Sequence, residues 1–253
     1  MMGEKLKVVL EGLWQEPFAS VICYPKPCRT ELNRRIKELQ RLGIEAIEFS
    51  GEKEAFNINV LGKGCVGVVV VAYRGQEKLA VKIRRVDADR SRMQHEAEML
   101  KKANSVDVGP KFLGVSKNFL LMQFVEGNLL PKWLKAPRKN VEVKHVLREI
   151  LEQCWRLDGA GLDHGELSHA PKHIIVDEDG KPFIVDFETA SQNRRPSNVT
   201  SICQFLFISG AVAESVAEKL GERDKTVVVE ALRAYKDCRS RGNFERVLEA
   251  CGL

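Results

Sequence analysis

Residues 57–83 read NINVLGKGCVGVVVVAYRGQEKLAVKI, and the architecture follows from this stretch. Three apolar, β-branched runs lie in it, Ile58 to Leu61, Val66 to Tyr73 and Leu79 to Ile83, and the last two are joined by a polar turn from Arg74 to Glu77. Short runs of this kind around tight turns predict an antiparallel hairpin sheet. Between the first two runs Gly62, Gly64 and Gly67 stand in GxGxxG spacing. Glycines there let main-chain amides approach an anion such as a phosphate, where a Cβ atom would collide. A dinucleotide-binding turn of the same spacing leads from a strand into a helix, and this one leads into another strand, which argues against that fold. A plain hairpin turn that binds nothing stays open on these residues alone.

Outward from this stretch, Lys82 ends the run Leu79, Ala80, Val81 as an ammonium on a rigid strand, and the small Ala80 leaves room beside it. A helix predicted from about Arg90 to Ala103 carries HEAEML, in which Glu96 stands fourteen residues after Lys82 and can pair with it. Glu98 is the rival partner, but two residues further along a helix it points to nearly the opposite side and is expected in solvent. Two short strands are expected at Lys111 to Val115 and Phe119 to Phe124, the second continuing as LLMQFVEG over residues 120–127. The remainder reads as helical. Leu147, Ile150, Leu151, Cys154 and Leu157 recur at helical spacing and lead into LDGAGLDHGEL (157–167), SHAPKHIIV (168–176) and FIVDFE (183–188), where an apolar strand delivers Asp186.

In this order the motifs resemble the eukaryotic-like protein kinase superfamily over about residues 57–190, and within it the compact archaeal branch that includes the Rio kinases and the small kinase of the tRNA threonylcarbamoylation complex. HGELSHAPKHIIV and DFETAS also look like archaeal proteins taken as serine/threonine kinases, and like the archaeal RNA kinase family, whose members phosphorylate a ribose 2′-hydroxyl in tRNA. The resemblance implies an α+β, bilobal protein-kinase-like fold with a small α/β N-terminal extension, ATP as donor, and Mg or Mn as metal. By position it implies nucleotide contacts from Gly62, Lys63, Gly64, Gly67, Val68, Ala80 and Lys82, with Met122, Gln123 and Phe124 at the adenine pocket and hinge. Glu96 would orient Lys82, and Asp186 would hold metal.

The family pattern HxDLxxxxN has Glu166 in place of its aspartate, as the base for the acceptor hydroxyl, and His173 in place of its asparagine, after a loop two residues longer. His173 as a metal ligand, as a hydrogen-bond partner of metal-bound water, and as a structural imidazole all stay open. Glu188 in place of the usual glycine implies a segment locked near its active form. Only 67 residues follow Asp186, with no APE motif, and Gly165 stands where regulated kinases hold arginine. Neither a peptide platform nor control by loop phosphorylation is expected.

Domains are expected at 1–55 (a basic α/β N-terminal domain), 56–127 (the small lobe) and 128–253 (a reduced helical lobe). In the first, Ala19 to Tyr24 reads as a strand, Thr30 to about Leu42 as a helix stopped by Gly43, and Ile44 to Phe49 as a second strand. The net charge of +5 is mild, but it is bunched: Lys26, Arg29, Arg34, Arg35, Lys37 and Arg41 crowd one run, and Lys132, Lys135, Arg138, Lys139 and Lys144 another. Either alone reads as a solvated face, and together they make nucleic acid an expected partner; the resemblance implies that it is tRNA, with a protein substrate as alternative. Seven cysteines without a CxxC pair argue for reduced thiols and against a zinc site, Cys23 and Cys28 being the one pair that a thermophile would join. No membrane-crossing run or secretory leader is read, so a cytoplasmic protein is expected, and the glycosylation-type triplet at Asn198 is given no function. An RNA kinase, a protein or small-molecule kinase and a nucleotide-binding pseudokinase remain open, in that order.

Overall fold

The computed structural model describes residues 5–253. It divides into two compact units, one running to Glu98 and including Lys111–Phe124, the other made of Met99–Pro110 and Val125–Leu253.

The first unit holds β1 (Leu6–Val9), α1 (Phe18–Ile22), α2 (Arg29–Arg41), β2 (Ala46–Phe49), β3 (Lys53–Ala55), β4 (Ile58–Val60), β5 (Gly62–Lys63), β6 (Gly67–Arg74), β7 (Glu77–Arg84), most of α3 (Arg90–Asn104), β8 (Phe112–Val115) and β9 (Phe119–Gln123). Seven of these strands form one antiparallel sheet in the order β1-β2-β6-β7-β9-β8, with β5 also on β6, while β3 and β4 pair as a separate hairpin. Side chains alternate between faces along a strand. Val68, Val70 and Ala72 of β6, Leu79, Val81 and Ile83 of β7, and Phe119 and Leu121 of β9 therefore share one core with Ile22 of α1 and Leu32, Ile36 and Leu39 of α2. On the opposite face Leu120 and Met122 pack with Met93 and Ala97 of α3.

Two expectations for the N-terminal segment change. Residues 19–24, read as a strand, are mostly the helix α1, whose Ala19, Ser20, Val21 and Ile22 are all buried. A short apolar run carries no period that separates a buried strand from a buried helical turn. The expected first domain, in its described residues 5–55, is also not set apart from the lobe that follows, because β2 is buried along its whole length and pairs with β1 on one side and β6 on the other. Burial of α2's three aliphatic anchors, worth about 1.5–3 kcal/mol each, ties the segment into the lobe's core.

Arg35 is the larger correction. Expected on the solvated face of α2 as an RNA contact, it is fully buried. Its Nη1 donates to the carbonyls of Ile22 (2.7 Å) and Arg84 (2.6 Å), its Nε to Glu31 (3.0 Å) and its Nη2 to Asn118 Oδ1 (3.4 Å). The basic run gives no hint of this, because a position on the inner face of a helix carries charge only where the partners are supplied by distant elements.

The second unit begins with β10 (Gly127–Leu129), α4 (Leu130–Lys135) and α5 (Asn140–Gly159), continues with β11 (Ile174–Asp177) and β12 (Pro182–Ile184), and ends in α6 (Asn198–Cys203), a π-helical turn at Gln204–Ile208, α7 (Ala211–Leu220), α8 (Lys225–Asp237) and α9 (Arg241–Ala250). Its sheet is antiparallel, β10-β11-β12. The expected spine of α5 is observed, with Leu147, Ile150, Leu151, Cys154 and Leu157 all buried. All seven cysteines are free, and no single described helix is long and apolar enough to cross a membrane.

Arg35→Met should destabilise the protein by about 3–5 kcal/mol in denaturant titrations, because Glu31 and three acceptor groups lose their donor inside the core. Arg34→Ala, at a side chain 69% exposed, should change stability by no more than about 0.5 kcal/mol.

Candidate active site

In the first unit the sheet holds Lys82 in the interior of β7, opposite Val69 on one side and Leu120 on the other. Lys82 and Glu96 are both nearly inaccessible, at 5% and 3%, and Nζ lies 2.7 Å from Glu96 Oε2. A charge pair withdrawn from water in this way is held by geometry, so the ammonium is oriented before any ligand arrives. Glu98 is exposed, as its helical position requires.

The glycine loop is the turn between β5 and β6, closed by Gly64 N–H donating to the Gly67 carbonyl at 2.9 Å. Its three glycines answer to different constraints. A Cβ on Gly67 would lie 2.7 Å from the Ile83 carbonyl oxygen and 3.1 Å from Lys82 Cγ, so that glycine lets β6 close against the strand of the lysine. A Cβ on Gly64 would meet only the Gly67 oxygen at 3.9 Å, and one on Gly62 only ordinary contact with Val69. Packing within the protein does not demand glycine at either, which leaves a cradle that side chains would fill.

Ala80 pairs directly with Met122, and both lie two residues from the Lys82–Leu120 pair, hence on the same face. Val68 does not belong with them. It is fully buried in the core shared with α1 and α2, and the valine on the lysine's face is Val69. Gln123 is engaged at both ends, its side-chain oxygen accepting from Lys111 N–H at 3.2 Å and its own N–H donating to the Lys111 carbonyl at 2.8 Å. Phe124 carries the Lys78 ammonium 4.2 Å from its ring centre.

In the second unit, Glu166, His173 and Asp186 each bring a donor atom within 4.8 Å of the others. His173 Nε2 is 2.9 Å from Glu166 Oε2 and 4.0 Å from Asp186 Oδ2. The nearer approach is not aligned as a hydrogen bond, and both ring nitrogens of this buried imidazole lack a hydrogen-bond partner among the described residues. Burial holds His173 below the ordinary histidine value against the opposing pull of Asp186 and Glu166, so at neutral pH it presents an uncharged ring that can act as a ligand. Buried, unpartnered nitrogens beside two half-exposed carboxylates fit a divalent cation, which Asp186 would hold together with His173 or Glu166 and which would supply positive charge beside phosphate oxygens. The two extra loop residues thus leave His173 facing the carboxylates.

Asp186 has φ +68°, and within residues 183–190 it is the described residue with a left-handed backbone, a role expected to be lost with Glu188 in glycine's place. A non-glycine residue in that region persists only where its surroundings over-determine it. Val185 N–H donates to the His173 carbonyl at 2.9 Å, and the Val185 carbonyl lies 3.1 Å from His164 Nε2. Burial pushes His164 down to about 4, so its neutral ring donates there, and it stacks edge-on against Phe187 at 5.1 Å. Gly165 has φ +90°, and a Cβ there would sit 2.5 Å from Arg194 Nη2, the guanidinium that bonds Asp163 and the Thr189 carbonyl.

Some residues of this scaffold escaped the sequence analysis. Asp158, at the end of α5, accepts from the backbone N–H (2.9 Å) and Nδ2 (2.8 Å) of Asn198 and from the Tyr235 hydroxyl (3.0 Å), and Asn198 Oδ1 accepts from His164 N–H (2.9 Å). Asn198, which matched a glycosylation triplet, is a buried anchor of the HGEL loop, and only a separation of about 35–40 residues hid the link.

Of the basic run in the first unit, Lys26, Arg29, Arg34, Lys37 and Arg41 are exposed. Arg34, Lys37 and Arg41 share a face of α2 and, with Lys117, line a groove of about 450 Å³. Of its two acidic residues, Glu31 bonds Arg35 at 3.0 Å and pairs more loosely with Arg34 at 3.8 Å, and Glu38 accepts from the N–H and Nδ2 of Asn118. In the second unit Lys132, Lys135, Arg138 and Lys139 are exposed about α4, Arg138 lying over the Trp133 ring at 5.0 Å.

An antiparallel sheet with a buried lysine–glutamate pair and a glycine hairpin, in a chain that also holds an HGEL loop and a strand-borne Asp186, defines a protein-kinase-like fold. Residues 67–202, over half of the chain, match the RIO domain, and the chain belongs to that family. It is also similar to an uncharacterized protein of Methanocaldococcus jannaschii, 28% identical over 99 residues that make up 39% of this chain and 83% of that protein. Membership implies an atypical protein-kinase-like, ATP-binding phosphotransferase that uses a divalent metal.

Asp186→Asn should weaken Mn²⁺ binding, read by electron paramagnetic resonance with ATP present, by at least about tenfold, and His173→Gln by a smaller factor. Equal binding by the parent and Asp186→Asn would remove Asp186 from the metal.

Proposed function

We propose that this protein is a kinase that transfers the γ-phosphate of ATP to a ribose 2′-hydroxyl of tRNA. The observation that carries the acceptor is the cationic face of α2, where Arg34, Lys37 and Arg41 stand in one stripe over a groove whose acidic residues are already engaged. Arg34 is held only loosely, by Glu31 at 3.8 Å, and exposed lysines and arginines in such a stripe suit a fixed array of phosphates, while RNA recognition rests largely on shape and 2′-hydroxyls. The absence of an APE motif from the sequence after Asp186 also favours an acceptor other than a peptide.

In this reading Lys82, oriented by Glu96, neutralises charge on the α and β phosphates, and main-chain groups of the glycine hairpin border them. Asp186, together with His173, would hold the metal, which would supply further positive charge beside the phosphates. Glu166 orients the acceptor hydroxyl and takes its proton as the oxygen bonds to the γ-phosphorus and the bond to the β–γ bridging oxygen breaks, leaving ADP.

Glu166→Gln should lower kcat by about 10²–10⁴-fold with little change in the KM for ATP, because the amide keeps the shape and loses the base. Equal losses in both would make Glu166 a nucleotide or metal holder instead. The triple variant Arg34→Ala, Lys37→Ala, Arg41→Ala should lose tRNA affinity, keep ATP affinity and bind with a shallower salt dependence, the log–log slope shrinking by about two. Incubation with labelled ATP and either total tRNA or total protein decides the acceptor class, and label in protein serine or threonine with none in tRNA would overturn the proposal.

A further inference from the structure

The turn that joins β3 to β4 contradicts the chemistry such turns require. Its two central residues, Phe56 and Asn57, both have positive φ, at 52° and 60°. A two-residue hairpin of this kind favours Asn-Gly, because a bulky side chain in the left-handed region strains the backbone. Asn57 suits its place and Phe56 does not. Burial offers little in return, since Phe56 is 41% exposed. An aromatic ring that keeps so much of its surface exposed on a strained turn points to a contact outside the chain.

What surrounds the ring indicates the contact. Tyr24, just after α1, meets Phe56 edge to face with ring centres 5.5 Å apart. Above Tyr24 lie two cations, the Arg85 guanidinium at 5.0 Å and the Lys63 ammonium at 5.9 Å from the ring centre. Lys63 stands between Gly62 and Gly64 of the glycine hairpin, and Arg85 N–H donates to the Val66 carbonyl of the same hairpin at 2.8 Å. Asp87 grips Arg85 through two bonds of 2.8 Å each, which fixes the plane of the guanidinium. Aromatic faces beside fixed cations are the chemistry by which proteins stack an unpaired base and hold its phosphate.

The ATP adenine is not the base concerned. Tyr24 packs with the core on the α1 and α2 face of the sheet, whereas Lys82, Ala80 and Met122 belong to the opposite face.

We propose that Phe56, backed by Tyr24 and flanked by Lys63 and Arg85, forms a stacking platform for an unpaired nucleobase of the RNA acceptor. This rests on the assignment of RNA as acceptor and adds a site to it beside the glycine hairpin. The platform would take single-stranded RNA, where bases are free to stack, and refuse a continuous duplex.

Phe56→Gly tests the platform without endangering the fold, because glycine accepts the turn's positive φ. Its thermal midpoint and ATP affinity should match the parent's, while tRNA affinity falls about tenfold, the usual order for losing one stacked base. Phe56→Trp should restore affinity and Phe56→Leu should not. Titrating Phe56→Trp with an oligouridylate should quench its fluorescence, against the parent's three tryptophans as baseline, and a blunt RNA duplex of equal length should not. Unchanged tRNA affinity in Phe56→Gly, or equal responses to single strand and duplex, would overturn the platform while leaving the RNA kinase reading intact. A parent protein that neither binds nor phosphorylates RNA would overturn both.

Discussion

The buried Arg35 guanidinium is the constraint on which the first unit depends. A cation without water must find hydrogen-bond acceptors or it costs several kcal/mol, and Arg35 finds them in α1, α2, β7 and the β8–β9 turn. A second buried arginine, Arg84, reaches the same Asn118 oxygen at 2.8 Å. Asn118 in turn gives its N–H and Nδ2 to Glu38 on α2. Two guanidiniums and one carboxylate thus meet around one amide. Directed bonds of this kind specify position more than they add stability, and the position specified is that of β7 two residues beyond Lys82.

The sheet then sorts its residues by parity. Even positions of β6 and odd positions of β7 face the N-terminal helices, while Ala80 and Lys82 face α3. The N-terminal segment consequently has two duties that its composition does not separate. Leu32, Arg35, Ile36 and Leu39 complete the core, and Arg34, Lys37 and Arg41 on the other side of the same helix meet solvent. A helix turns about 100° per residue, so neighbours in one basic run belong to different environments.

The second unit orders its chemistry through neutral groups. His164 is kept uncharged by burial and gives its one ring proton to the Val185 carbonyl, next to Asp186. Asp158 is held above the usual carboxylate range by burial, a shift opposed by the bonds from Asn198 and Tyr235. Through Asn198 it anchors the backbone of His164, two residues before Glu166. The carboxylates offered to a ligand are accordingly the partly exposed Glu166 and Asp186, and the buried Asp158 is structural.

By itself the sequence determined the hairpin strands from residue 58 to 83, the helix that follows, the pairing of Glu96 with Lys82, the spine of α5 and the delivery of Asp186 by an apolar strand. Each of these is a local pattern or a fixed spacing within one or two elements, and local sterics and periodicity suffice to read it. The tertiary structure alone decided that Arg35 is core, that Val69 and not Val68 lies on the lysine's face, that residues 19–22 are helical, that the N-terminal strands join the main sheet and that Asn198 holds the HGEL loop. These depend on partners tens of residues away or on a register that one position reverses. A charged or polar side chain carries no mark in sequence of whether distant elements will supply its hydrogen bonds, and that supply decided its place here.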